Sequence, residues 1–145
     1  METNEILASF FERDLRKLIE ELNMFSNEKK LWEKSGQISN PAGNLALHII
    51  GGTNYLIGNT LGKTGYVRQR ELEFTLRDIP RIEILRQLEA LILTVKEIVL
   101  HTDLQAAYPL PFDDAIRTNS YVLIQLSLHL NYHLGQVNYL RRMLA

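Results

Sequence analysis

Apolar residues recur at spacings of three, four and seven along most of this chain, and no stretch alternates apolar and polar as a half-buried strand does. That periodicity restricts the chain to helices. Leu7, Phe11, Leu18, Leu22 and Phe25 predict a helix over 3–27, ending before Ser35-Gly36. Ser39-Asn40-Pro41 reads as a start signal, a polar cap followed by proline near the first helical position. Leu45, His48, Ile49, Tyr55, Leu56 and Leu61 then predict a second helix over 41–61. A third begins near Asp78 or Pro80, carries Leu85, Leu88, Ile92, Val95 and Val99, and ends near Thr102-Asp103. A fourth begins near Thr118 or Asn119 and runs almost to the end through Val122, Leu126, Leu130, Leu134, Val137, Leu140 and Leu144. Arg141 and Arg142 fall in its last turn, where cations suit the helix dipole. Residues 62–78, with two turn glycines and a dense charge cluster, predict a long ordered connection. Tyr108-Pro109-Leu110-Pro111 keeps helix out of 104–117.

Four long helices in 145 residues make one all-α domain, a four-helix bundle over 1–145. Connections of roughly 15 residues are long for tight antiparallel neighbours, so at least one should cross an end of the bundle. Periodicity does not order the helices in space. Gly51, Gly52 and Gly58 would each cost about 1 kcal/mol relative to alanine inside the second helix. They signal either close packing or a local distortion that makes room near a site.

Composition excludes several chemistries. With no cysteine, there is no disulfide framework, no protein thiolate nucleophile and no Cys-ligated metal. A metal site must use His, Asp, Glu and water. Sixteen Lys+Arg against 17 Asp+Glu, a net charge of −1, give no basic stripe for nucleic acid or an anionic membrane. No window has the 18 or so uncharged apolar residues of a membrane span. Met1-Glu2-Thr3-Asn4-Glu5 lacks the basic start and apolar stretch of a signal peptide, so the expected compartment is the cytoplasm.

His129 and His133 stand four apart in the fourth helix, which puts both imidazoles on one face about 6 Å apart along the axis. Two such nitrogens reach one ion about 2 Å from each. His48, on the mainly apolar part of the second helix, should point inward and complete a three-nitrogen site with positions left for water or substrate. The competing reading is a stacked, hydrogen-bonded pair with no ion. A zinc-protease motif is excluded, because Leu130 stands where that motif has its glutamate base and Asn131 cannot replace it. Gln125, Gln136 and Asn44, each about one turn from a histidine, are candidates to hold the second ring nitrogens, or else ordinary helix-face polarity. His101, at the end of the third helix, reads as structural or solvent-facing. Asp14 puts a carboxylate on the apolar stripe of the first helix.

The segment from His129 through Tyr132, His133, Gly135, Gln136 and Tyr139 to Arg141-Arg142 resembles the last helix of the DinB/YfiT-like superfamily. His48-Ile49-Ile50-Gly51-Gly52 after Asn40-Pro41 is similar to its second-helix histidine motif. Arg68-Gln69-Arg70-Glu71-Leu72-Glu73-Phe74 is similar to an Arg-x-Arg-x-x-Glu-Phe segment of one branch. Order and spacing agree over nearly the whole chain. The resemblance implies an up-down-down-up bundle, often a homodimer, with His48, His129 and His133 at the ligand positions for a divalent ion such as nickel, zinc or iron. It also implies kinship with transferases and isomerases that use low-molecular-weight thiols such as bacillithiol or mycothiol, and with many members of no assigned activity.

Two functional expectations follow. In the first, a metal-dependent enzyme activates an incoming thiol, or water in a hydrolytic variant, for attack on a small-molecule substrate. In the second, a dimeric, non-enzymatic module holds a small ligand in its histidine pocket. Arg68 or Arg70 would bind a carboxylate on a thiol cosubstrate, or else Arg68, Arg70 and Glu73 pin the crossover to the bundle; the structural reading is preferred. Tyr132, Tyr55, Gln136 and Asp14 are auxiliary candidates without an assigned role.

Overall fold

The computed structural model describes residues 1–144. Its helices are α1 (Thr3–Met24), a 3-10 turn (Glu28–Trp32), α2 (Ala42–Thr53), a π-helical stretch (Asn54–Asn59), α3 (Thr60–Gly62), α4 (Arg70–Thr75), α5 (Arg81–His101) and α6 (Asn119–Leu144). The fold is all-helical. The described residues hold no strand, only isolated bridges between Ala107 and Thr118 and between Phe112 and Ala115. No described helix is long and apolar enough to cross a membrane.

Helix α1 stops at Met24, short of the periodicity, because Phe25 leaves the helix with extended backbone and turns into the core. The carbonyls this frees are not lost: the Arg81 guanidinium donates to Leu22 O at 3.0 Å and Phe25 O at 2.6 Å. At the other end of α1, Asn4 donates to Val99 O and Thr102 O, closing the C-terminus of α5. Along α6, Asn131 donates to Asp14, while Asn138 and Arg141 donate to Glu21 seven residues further down α1. Asp14 therefore belongs to the contact between α1 and α6, with Arg13 as its second partner. Burial works against the Glu21 charge, but Arg141 and Asn138 outweigh it and hold this carboxyl below the usual range.

Helix α2 begins one residue later than the start signal suggests. Pro41, with extended ψ, is itself the cap residue, and its carbonyl takes the first helical bond from Leu45 N–H at 3.0 Å. Asn40 lies one position outside. Within the next turns the chain widens into the π stretch, which contains Gly58. Two hydroxyls bind carbonyls there: Tyr108 donates to Leu56 O at 2.6 Å and Thr60 to Tyr55 O at 3.0 Å. The wider turn shifts the helical phase, so Ile57 and Gly58 are buried, while Tyr55, Leu56 and Leu61 are only half-buried. Beyond it, Gly62 packs under Ile98 of α5 where a Cβ would overlap that side chain.

The predicted connection at 62–78 contains a helix, α4, which at six residues is too short to show a period. The buried Asn44 amide of α2 holds it, donating to Glu73 O and Leu76 O, and accepting from Arg77. The core comprises Phe11, Leu15, Leu18 and Leu22 from α1, Leu45, Ala46 and Ile49 from α2, Leu88, Leu91, Ile92 and Val95 from α5, and Leu123, Leu130, Val137 and Leu140 from α6.

Candidate functional site

The three predicted histidines meet. His129 and His133 present their Nε2 atoms to each other at 2.9 Å, and the His48 ring stands edge-on to both at centroid distances of 5.9 and 5.1 Å. One ring nitrogen from each residue lies within 4.8 Å of the others. His133 is only 9% exposed, whereas His129 opens to solvent.

The outer nitrogens are held unequally. His133 Nδ1 lies 2.7 Å from Gln136 Oε1, one of the expected partners. An amide oxygen accepts only, so His133 carries its proton on Nδ1 and turns a lone pair inward at Nε2. His48 Nδ1 faces Glu73 Oε1 at 3.0 Å, which likewise leaves Nε2 as the lone pair. Asn44, expected to hold His48, is instead spent on the backbone of α4. Gln125 bonds the Tyr121 hydroxyl and does not reach His129. His129 has no partner but His133 among the described residues.

Glu73 is the residue whose place in the site the sequence did not reveal. Arg68 grips its carboxylate with two bonds, Nε to Oε2 at 2.9 Å and Nη2 to Oε1 at 3.0 Å. The geometry is that of the structural role expected of this segment, since the pair pins the crossover to α2; that the pinned carboxylate also faces a histidine was not expected. Gly51 makes the approach possible, because the Glu73 carboxylate occupies the space that a Cβ at Gly51 would need. At Gly52 the crowding is milder, a Cβ there coming 3.2 Å from the Arg68 guanidinium. The signal available in the sequence was the Gly51-Gly52 pair one turn beyond His48. Of the meanings expected of the glycines, close approach holds at Gly51, whereas Gly58 lies in a distorted stretch that lines neither cavity at the histidines.

Arg70 differs from Arg68. Its guanidinium lies over the Phe74 ring at 5.5 Å, and Phe74 in turn packs on His48 with centroids 4.9 Å apart. His101 is remote and exposed, with Nδ1 on the Glu97 carbonyl at 2.9 Å, as its position at the end of α5 predicts.

Partial burial lowers the His48 imidazole pKa below its ordinary value; the Glu73 hydrogen bond opposes this and the neighbouring His133 adds to it. Partial burial also lowers His129, helped by His133 and His48. Both rings therefore favour the neutral form, the form that donates a lone pair. Two cavities flank the cluster. One of about 390 Å³ contains His48, His129, Arg68, Arg70 and Phe74; one of about 690 Å³ lies between α6 and residues 37–40, beside His133 and Gln136.

In comparisons with known proteins, no family model matches the chain and no curated protein matches it.

Proposed function

We propose that the chain is a DinB/YfiT-like four-helix bundle that binds a divalent metal ion through His48, His129 and His133 and works on a small molecule there, as a transferase activating a low-molecular-weight thiol. The carrying observation is the convergence of one nitrogen from each histidine within 4.8 Å, with Gln136 and Glu73 fixing the lone pairs of two of them. The spacing of the pair on α6 passes a test of fit. Two nitrogens each about 2.05 Å from one ion stand about 2.9 Å apart at a right angle and about 3.3 Å apart in a tetrahedron. His129 and His133 stand at 2.9 Å. Nickel, zinc and iron all accept imidazole, and the donor set does not choose among them.

An up-down-down-up course is part of the proposal. Asp14 and Glu21 meet Asn131 and Asn138 in ascending order, which supports α1 parallel to α6. Asn4 against Val99, and Arg81 against Leu22, support α1 antiparallel to α5. Leu45 lines one cavity together with Leu140, and Leu56 lines the other together with Leu126, which supports α2 antiparallel to α6. A homodimer and a cytoplasmic location complete the proposal.

When bound, a divalent ion would supply a Lewis acid that lowers the pKa of a coordinated thiol, or of water in the hydrolytic variant. The protein's own groups do the rest. Glu73 keeps the His48 proton on Nδ1, Arg68 keeps Glu73 aimed, and Gln136 does for His133 what Glu73 does for His48. His129 must move its proton from Nε2 to Nδ1 to join the set. With no cysteine in the chain, the reacting thiol comes from outside.

The second reading, a non-enzymatic binding module, has one observation in its favour: His129 and His133 already satisfy each other by a hydrogen bond. Metal analysis of untagged protein separates the two. The first reading expects about one ion per chain, lost in His129→Ala, and a melting temperature about 9 °C higher at a hundredfold excess of nickel or zinc over Kd. Metal-free protein whose melting temperature ignores both ions refutes it.

A further inference from the structure

We infer that the two cavities beside the histidines form one ligand cleft, shaped for a small molecule with an apolar body and a single carboxylate that Arg70 recognises. The inference rests on the proposed site for where chemistry occurs, but its own argument is independent of any ion.

The cavities share Asn40, Leu45 and His133, so they meet at the cluster. Their contents differ in kind. The larger, about 690 Å³, has an apolar side of Ile38, Tyr132, Tyr139, Leu140 and Met143 and a polar margin that includes Gln37, Ser39, Asn40 and Gln136. That size and lining suit an aromatic or branched aliphatic body. Tyr132 and Tyr139 are 64% and 65% exposed, which leaves wide apolar faces uncovered within the chain.

The smaller cavity holds the charge. It contains two guanidiniums, and only one is available. Arg68 is committed to Glu73 by two bonds. Arg70 makes no ion pair among the described residues. Its guanidinium lies over the face of Phe74, which leaves the hydrogen-bonding edge open. Through Phe74 that cation is seated one ring away from His48. A planar fork with an open edge matches a carboxylate.

Gly135 is a third, independent observation. It lies inside α6, where glycine costs about 1 kcal/mol relative to alanine. A Cβ there would meet nothing within 4 Å, so no packing within the chain explains it. It lines the larger cavity, and also a smaller one beside Lys17 and Glu21, so the bare backbone lies on the wall where the apolar body would rest.

The test uses the full chain and two probes of one shape, 4-phenylbutanoate and its neutral amide, titrated calorimetrically at low ionic strength. Each is run with chelator and again with nickel. The expected result is acid binding about tenfold tighter than the amide in both conditions, the size of one charge-assisted contact. Arg70→Gln should erase that preference while leaving amide binding unchanged. Gly135→Leu should weaken acid and amide alike by about tenfold or more, without lowering the melting temperature, since leucine suits an open helix position better than glycine. Equal binding of acid and amide, no binding of either, or an acid preference that survives Arg70→Gln overturns the inference. A preference that survives Arg70→Gln but disappears with chelator assigns the carboxylate to a metal ion, which sinks this inference and supports the site. A chain that takes up no nickel, yet keeps an Arg70-dependent preference, does the reverse.

Discussion

Replacing Gly51 by alanine should destabilise the protein even though it removes a glycine from a helix. Alanine at an open helical position gains about 1 kcal/mol. At Gly51 the added methyl falls on the Glu73 carboxylate, so Glu73 must leave its place against α2. Glu73 is 6% exposed and Arg68 has a side-chain exposure of 16%, so the pair is largely out of water. Disturbing a buried pair of this kind costs about 3 kcal/mol or more. The net loss is about 2 kcal/mol. For a domain of this length the unfolding entropy at the midpoint is about 0.3 kcal/mol/K, which converts the loss to a fall of about 7 °C. Thermal and urea unfolding measure it directly. The discriminating measurement is the same substitution made in a Glu73→Ala background, where the obstacle is gone and only the helical gain is left. There Gly51→Ala should be neutral or stabilising. If it destabilises equally in both backgrounds, the carboxylate is not what excludes a side chain at this position, and the account of the Gly51–Glu73 contact fails.

Two further predictions concern the same region. His48 and His129 have folded pKa values below their unfolded value of about 6.5, so the unfolded chain binds more protons than the folded one just below that pH. Stability measured by urea unfolding with chelator should therefore be full above about pH 6.5 and decline as pH falls through the window beneath it. His129→Gln should flatten that decline, and an unchanged slope would remove His129 from the explanation. Asn44→Ala should cost about 2–3 kcal/mol, because it withdraws two donors and an acceptor from groups on α4 and its exit. Hydrogen exchange should rise over residues 70–76 well before it rises in α1 or α5; uniform acceleration along the chain would contradict the anchoring role.

The helices were legible in the sequence where they are long and carry a stripe. Leu88, Ile92, Val95 and Val99 identify α5, and Pro80 marks its start to within a residue. The phase within the 42–62 segment was not legible. A wider turn at 54–59 moves Ile57 inward and leaves Tyr55 and Leu56 half-buried, and nothing in a 3.6-residue pattern announces an i-to-i+5 bond. Helix α4 escaped because six residues show less than two turns of periodicity. At the site, the His129–His133 spacing and the inward course of His48 were readable because one helix face, or one apolar stripe, determines each. The Gln136 partnership was readable for the same reason, being three residues away on α6. The Glu73 partnership was not, since it joins positions 25 residues apart through a crossover whose path depends on Asn44 and on the missing side chain of Gly51.

The π stretch has a consequence for how one segment serves two neighbours. A turn with one extra residue rotates everything beyond it by about 100° relative to a continuous α-helix. Before the stretch, His48 is aimed at α6; after it, Gly62 is aimed at Ile98 of α5. The segment behaves as two rods joined at a fixed angular offset, with the Tyr108 hydroxyl bound to a carbonyl at the joint. Length is thus a coded quantity here. Deleting a single residue between 54 and 59 would keep both His48 and Gly62, yet no single rotation of the rod would seat both.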